Sequence, residues 1–126
     1  MINYDDFSKV ELKVGQILSA EKVPATDKLV KLSVDFGSVK AEVKKEDGTI
    51  ETTETKDVRQ IISGISLYFP DAAVLVGKKC MFVTNLEPRT IKGLESNGMI
   101  LALSADDDKF SLLEPSAEIP VGTRAK

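Results

Sequence analysis

"VELKVGQI", Val10 to Ile17, alternates apolar and polar residues until Gly15 breaks the pattern and Ile17 resumes it. Alternation with a period of two marks a half-buried strand. A glycine inside such a pattern points to a bulge. A bulge lets one long strand bend and serve both sides of a small closed sheet. This first strand is therefore read as the shared wall of a small barrel.

The rest of the chain supplies partners for it. Val30, Leu32, Val34 and Phe36 alternate with Lys31, Ser33 and Asp35 in a second strand that Gly37 ends. Residues 38–58 read as an inserted acidic ribbon, turned at Glu46-Asp47-Gly48-Thr49 by an Asp-Gly pair. Arg59 to Ile65 is a third core strand. Asp71 as a cap and Gly77 as a stop predict a helix of about two turns. Lys79 to Thr84 is a fourth strand and Met99 to Leu103 a fifth. Phe110 to Leu113 is a shorter one, and Pro115, Pro120 and Gly122 mark a tail over 115–126. The predicted fold is all-β, a five-stranded OB-fold barrel. It has one short helix between strands 3 and 4 and an extra hairpin between strands 2 and 3. We expect one domain over residues 1–126, a length that supports a single core.

Composition narrows the function classes. No apolar run approaches the roughly 20 residues of a membrane-spanning helix. The start, Met1-Ile2-Asn3-Tyr4-Asp5-Asp6-Phe7, lacks a hydrophobic signal core, and Cys80 is the lone cysteine. These features point to a cytoplasmic protein without a membrane partner. No histidine is present, which removes the commonest general base and metal ligand. One cysteine cannot build a zinc site, and no nucleotide-binding or nucleophile-elbow motif occurs. Asp106-Asp107-Asp108 has no metal-loop spacing and reads as a solvated turn. Cys80 lies in an apolar strand and reads as inert core. The expectation is a non-catalytic protein with no cofactor and no metal.

Net charge is −3, which argues against a uniformly basic nucleic-acid binder and against DNA. The distribution is uneven. Residues 38–58 carry a net −2, whereas residues 78–92 hold Lys78, Lys79, Arg89 and Lys92 against Glu87 alone. A locally basic patch on an acidic protein is expected. OB-type barrels bind on the faces of strands 2 and 3 and with the loops after strands 1 and 4. Those places hold Lys28, Lys31 and Ser33; Arg59 and Ser63; and Asn85 to Gly98. Phe36 and Phe82 fall on apolar strand positions, so exposed rings for stacking single-stranded bases are few.

Four stretches carry a family likeness: "DFSKVELKVGQILSAEKVPATDKLVKLSVDFG" (6–37), "RQIISGISLYFP" (59–70), "LVGKKCMFVTNLEPRTIKGLESNGMILAL" (75–103) and the Pro-Val-Gly ending. In this order they resemble the tRNA-binding domain found at the C-terminus of many methionyl-tRNA synthetases. The same domain occurs as a free-standing dimeric protein, in tyrosyl-tRNA synthetases and in aminoacylation cofactors of eukaryotes. The resemblance implies an OB-fold homodimer that recognises tRNA by shape. It would support aminoacylation by a methionyl-tRNA synthetase catalytic domain, in cis or in trans. The family's RNA-contacting positions map to Lys31, Arg59, Ser63, Asn85, Arg89, Ser96 and Met99, with Lys92 as a further cation of the same stretch. Arg and Lys suit phosphates; Asn and Ser suit sugars and base edges. Glu87 and Thr90 stand where relatives often carry lysine, and the 38–58 ribbon replaces a short connection. A rival reading is a secretion-associated, peptide-binding chaperone of the same fold, and another is a synthetase docking module. The Tyr4–Phe7 arm and the 115–126 tail are the expected dimer-forming pieces.

Overall fold

A computed structural model describes residues 1–126. The chain runs α1 (Tyr4–Ser8), β1 (Leu12–Lys22), β2 (Val30–Lys44) and β3 (Ile50–Ser63). There follow two 3-10 turns (Ser66–Tyr68 and Ala72–Leu75) and then β4 (Lys79–Val83). The last strands are β5 (Arg89–Ile91), β6 (Leu94–Ser96), β7 (Met99–Ile100), β8 (Ala102–Ser104) and β9 (Phe110–Leu112). The principal sheet has the order β3-β2-β1-β4-β7, and β5–β6 and β8–β9 form separate hairpins. The result is an all-β, OB-like half-barrel.

β1 is the shared wall. Leu12 to Gln16 pairs antiparallel with β4, and Gln16 to Lys22 pairs antiparallel with β2. The bend between the two halves is a register shift between Ile17 and Ser19, not at Gly15. Gly15 has another task. A Cβ there would lie 2.6 Å from the side chains of both Phe36 and Val34, so only glycine lets β2's core row close onto β1. The inner row of β2, Val30, Leu32, Val34 and Phe36, is buried along its whole length. Phe36 meets Phe82 of β4 edge-on, with ring centroids 5.2 Å apart. Cys80 lies fully buried in the same core, and burial raises its thiol pKa to about 11.

Two predicted elements take a different form. The helix expected over Asp71 to Val76 is a single 3-10 turn in which Asp71 caps Ala73 N–H at 3.0 Å. Gly77 N–H then donates to Ile17 O (2.8 Å), and Ile17 N–H donates to Lys78 O (2.9 Å). β1 thus draws the chain back into the sheet before a second helical turn can form, while Leu75 plugs the barrel end. The fifth strand, expected as one run from Met99 to Leu103, divides at Leu101 into β7 on the barrel and β8 in the outer hairpin. The acidic start forms α1, closed by a reciprocal capping box between Asn3 and Asp6.

The inserted ribbon is not a separate unit. It is the outer half of β2 and β3, which pair on from Ser38↔Lys56 to Lys44↔Ile50 after a shift between Asp35 and Ser38. Its tip is a three-residue loop in which Gly48 takes φ +87° and Lys45 N–H donates to Thr49 O.

Candidate nucleic-acid interface

Directly opposed residues of a sheet share a face. Lys31 opposes Glu21 of β1 and Ile62 of β3, and Ser33 opposes Ser19 and Gln60, so these residues form the outer face of the β1–β2–β3 wall. Beside it stands the β5–β6 hairpin, turned at Lys92-Gly93, where both residues take positive φ (51° and 80°). Between the hairpin, β2 and the β1–β2 loop lies a groove of about 240 Å³ lined by Lys22, Lys31 and Lys92, with Glu21, Val23, Pro24 and Leu94. Three lysines from three segments therefore converge on one concavity of an acidic chain.

Their charges are available. Lys22 and Lys92 make no ion pair, and Arg89, exposed on β5 opposite Ser96, makes none either. Lys31 faces Glu21 at 3.7 Å, with side chains 39% and 67% exposed. Such a surface pair is weak and screened by salt, so a phosphate can displace it. Met99 is exposed on β7.

The other predicted site residues do not line the groove. Arg59 opposes Val34, so it points to the inner side of the sheet and not to the outer face. Its guanidinium binds both oxygens of Asp57 (2.9 and 3.0 Å) and lies 5.3 Å from the centre of the Phe36 ring. It also donates to Thr84 O and to Asn97 O (3.3 Å), thereby tying both roots of the 85–97 excursion together. Ser96 is buried; its hydroxyl accepts from Ile62 N–H and donates to Gly98 O, each at 3.0 Å. With Asn97 N–H donating to Gln60 O (2.9 Å), it joins β6 to the free edge of β3. Gly98 stays glycine because a Cβ would lie 3.0 Å from Val83 O. Asn85 accepts from Glu11 N–H (2.8 Å) and donates to Lys9 O (2.6 Å), which clamps the start of β1. Ser63 ends β3 opposite Val30, on the inner side.

Lys22 lines the groove although nothing in its own segment marks it as a site residue. Lys22 lies beyond the bend of β1, opposite Val30. Pairing with β2 puts Glu21 on the face of Lys31, whereas Lys22 meets the groove at the strand's end, beside Val23 and Pro24.

Below the sheet, the tail pairs with the first half of β1. Val14 exchanges backbone bonds with Gly122 and Thr123, and Ala125 N–H donates to Leu12 O. An apolar groove of about 540 Å³ opens there, lined by Val14, Met81, Leu112, Leu113, Pro115 and Ile119 among others. No helix is long and apolar enough to cross a membrane.

Known proteins are similar to this chain in sequence and fold. The methionine–tRNA ligase of Enterococcus faecalis is 39% identical over 121 residues, which cover 96% of this chain and 16% of the ligase. The chain thus spans about a sixth of that relative's length. A crystal structure of a MetRS-related protein from Pyrococcus horikoshii matches with a TM-score of 0.79 at 35% identity, covering 100% of this chain and 98% of that one. The chaperone CsaA of Bacillus anthracis matches with a TM-score of 0.75 at 25% identity, covering 100% and 99%. The family model described as "Putative tRNA binding domain" matches residues 49–124, which include β3, the Arg59 anchor and the whole β5–β6 hairpin, and the chain belongs to this tRNA-binding domain family of methionyl-tRNA synthetase type.

Proposed function

We propose that this chain is a non-catalytic, cytoplasmic tRNA-binding module that takes the folded RNA surface into the Lys22–Lys31–Lys92 groove. The observation that carries this reading is the convergence of three lysines, two of them without an acidic partner, on a chain whose net charge is −3. Arg89 and Met99 flank the contact, the former for phosphate and the latter for a base or ribose. Arg59, Ser63, Asn85 and Ser96 act through the geometry of the hairpin and the ends of the sheet. With Glu87 at the hairpin's root, affinity per site is modest. A homodimer offsets this by presenting two sites on one particle. Its contact is the tail-side apolar groove, reached by the exposed Met1, Ile2 and Tyr4. In cis or in trans, the module raises tRNA affinity for a methionyl-tRNA synthetase that does its chemistry elsewhere.

The test is a titration with bulk tRNA at two salt concentrations. Tight, salt-sensitive binding that weakens in Lys31→Ala and Lys92→Ala supports the reading. Binding to a denatured protein client but not to tRNA overturns it in favour of a peptide-binding chaperone. Sedimentation at micromolar concentration tests the dimer, with Ile119→Asp as the disrupting variant; a wild-type monomer refutes it.

A further inference from the structure

The outer half of β2 carries an open edge. Pairing with β1 ends at Asp35, so no strand covers the far side of Ser38 to Lys44. Lys45 N–H bonds to Thr49 O, and bonded pairs alternate in an antiparallel ladder. Val43, Ala41 and Val39 therefore spend their backbone groups on β3. Ser38, Lys40, Glu42 and Lys44 aim theirs outward. All seven side chains are exposed.

An uncovered edge of this length is a template for another strand, and proteins usually blunt such edges with lysine. Here the lysines alternate with a glutamate. The sequence of the edge, Ser-Val-Lys-Ala-Glu-Val-Lys, is complementary to itself when reversed about Ala41. We propose that this edge pairs antiparallel with the same edge of a second copy, about a two-fold axis at Ala41, to form a four-stranded ribbon.

Register selects this arrangement. Lys40 then opposes the second copy's Glu42, and the reciprocal pair repeats it across the axis. Both are residues with outward backbone groups, so they exchange the two hydrogen bonds of a bonded pair. Val39 opposes Val43 and Ala41 opposes Ala41, which makes one continuous apolar row on the other face. Within its own ribbon Lys40 already opposes Glu54, so the lysine sits between two carboxylates. A slip of two residues one way sets Lys40 against Lys40. The other way sets Glu42 against Glu42 and Lys40 against Lys44. Like charges directly opposed destabilise a ladder, so the alternatives are disfavoured. The contact uses none of the residues of the tail-side groove or the lysine groove. It therefore stands or falls separately from the function proposed above.

A disulfide trap reads this contact alone. In a non-bonded antiparallel pair the Cα atoms lie about 4.5 Å apart, within the roughly 4.4–6.8 Å that a disulfide spans. Ala41→Cys is expected to give a disulfide-linked dimer under mild oxidation, while the wild type, whose Cys80 is buried, gives none. Val43→Cys is equally exposed but faces position 39, so it is expected to link at least about tenfold more slowly, since a disulfide needs close approach of the two backbones. Adding Lys40→Glu to Ala41→Cys should slow linking by roughly tenfold through repulsion of two glutamates, and adding Glu42→Lys as well should restore it. Linking of Ala41→Cys no faster than Val43→Cys, or linking indifferent to Lys40→Glu, overturns the proposal. Sedimentation of Lys40→Glu and of Lys40→Glu/Glu42→Lys without the cysteine checks that association follows the same order.

Discussion

β2 and β3 run through two environments without a break. In the inner half, from Val30↔Ser63 to Asp35↔Val58, the row Val30, Leu32, Val34 and Phe36 is buried against β1 and β4. In the outer half, from Ser38↔Lys56 to Lys44↔Ile50, an equally regular row of Val39, Ala41 and Val43 stands in solvent. The ladder is the same and the apolar alternation is the same. The two halves differ in what lies across from them. An isolated two-stranded ribbon is marginal in water, and this one borrows its order from the barrel at one end and from the Gly48 loop at the other.

The largest break in the comparison comes from truncating matched residues. Leu32→Ala, in the barrel half, should cost about 2–5 kcal/mol of unfolding free energy, while Val43→Ala should stay within about 0.5 kcal/mol. Chemical denaturation of the two variants measures both. Equal losses would mean that the ribbon is covered in the isolated chain.

A second break falls between positioning and contact. Arg59→Ala removes the tie on both roots of the β5–β6 hairpin and leaves Asp57 half-buried without its partner. It should lower stability by about 1–3 kcal/mol and weaken tRNA binding together. Lys31→Ala should leave the melting curve nearly unmoved. It should reduce the slope of log affinity against log salt by roughly 0.7–0.9, the signature of one lost phosphate contact. A variant of Arg59 that melts like wild type yet loses binding would make that arginine a direct RNA contact.

The smallest effect is acid sensitivity at the start of β1. The Thr84 hydroxyl donates to Glu11, and this bond, opposed by partial burial and assisted by Lys13 and Arg124, holds the Glu11 pKa below its ordinary value of 4.5. A depressed carboxylate stabilises the fold above its unfolded-state pKa. That contribution disappears as the pH falls through the folded value. Thermal midpoints should therefore drop below about pH 4.5, and Glu11→Gln should drop less steeply over the same interval. Parallel curves would show that other carboxylates carry the acid response.

Much of the barrel was legible in the chain because period two is a local signal. Val30 to Phe36 announced a strand and its buried face, but Gly37, read as its end, is only where the register shifts, and β2 runs on to Lys44. The Asp47-Gly48 turn announced where the ribbon reverses. The site was less legible. Arg59 precedes Gln60, Ile61 and Ile62, and both isoleucines are buried, so alternation gives no phase there. The shift opposite Asp57 sets the phase and turns Arg59 inward. Asn85 reads as a loop contact, yet its amide is engaged by Lys9 and Glu11, more than seventy positions earlier in the chain. Lys22 gains its place only when β1 bends onto β2.

By itself, the sequence determined which residues share a strand face wherever apolar and polar positions alternate, and where the chain must turn, since both depend on neighbours one to four positions away. The tertiary structure alone decided which faces are covered, because burial needs a partner that arrives from elsewhere in the chain. That is why Val34 is core while Val43 is surface, and why three lysines, each unremarkable in its own segment, line one groove.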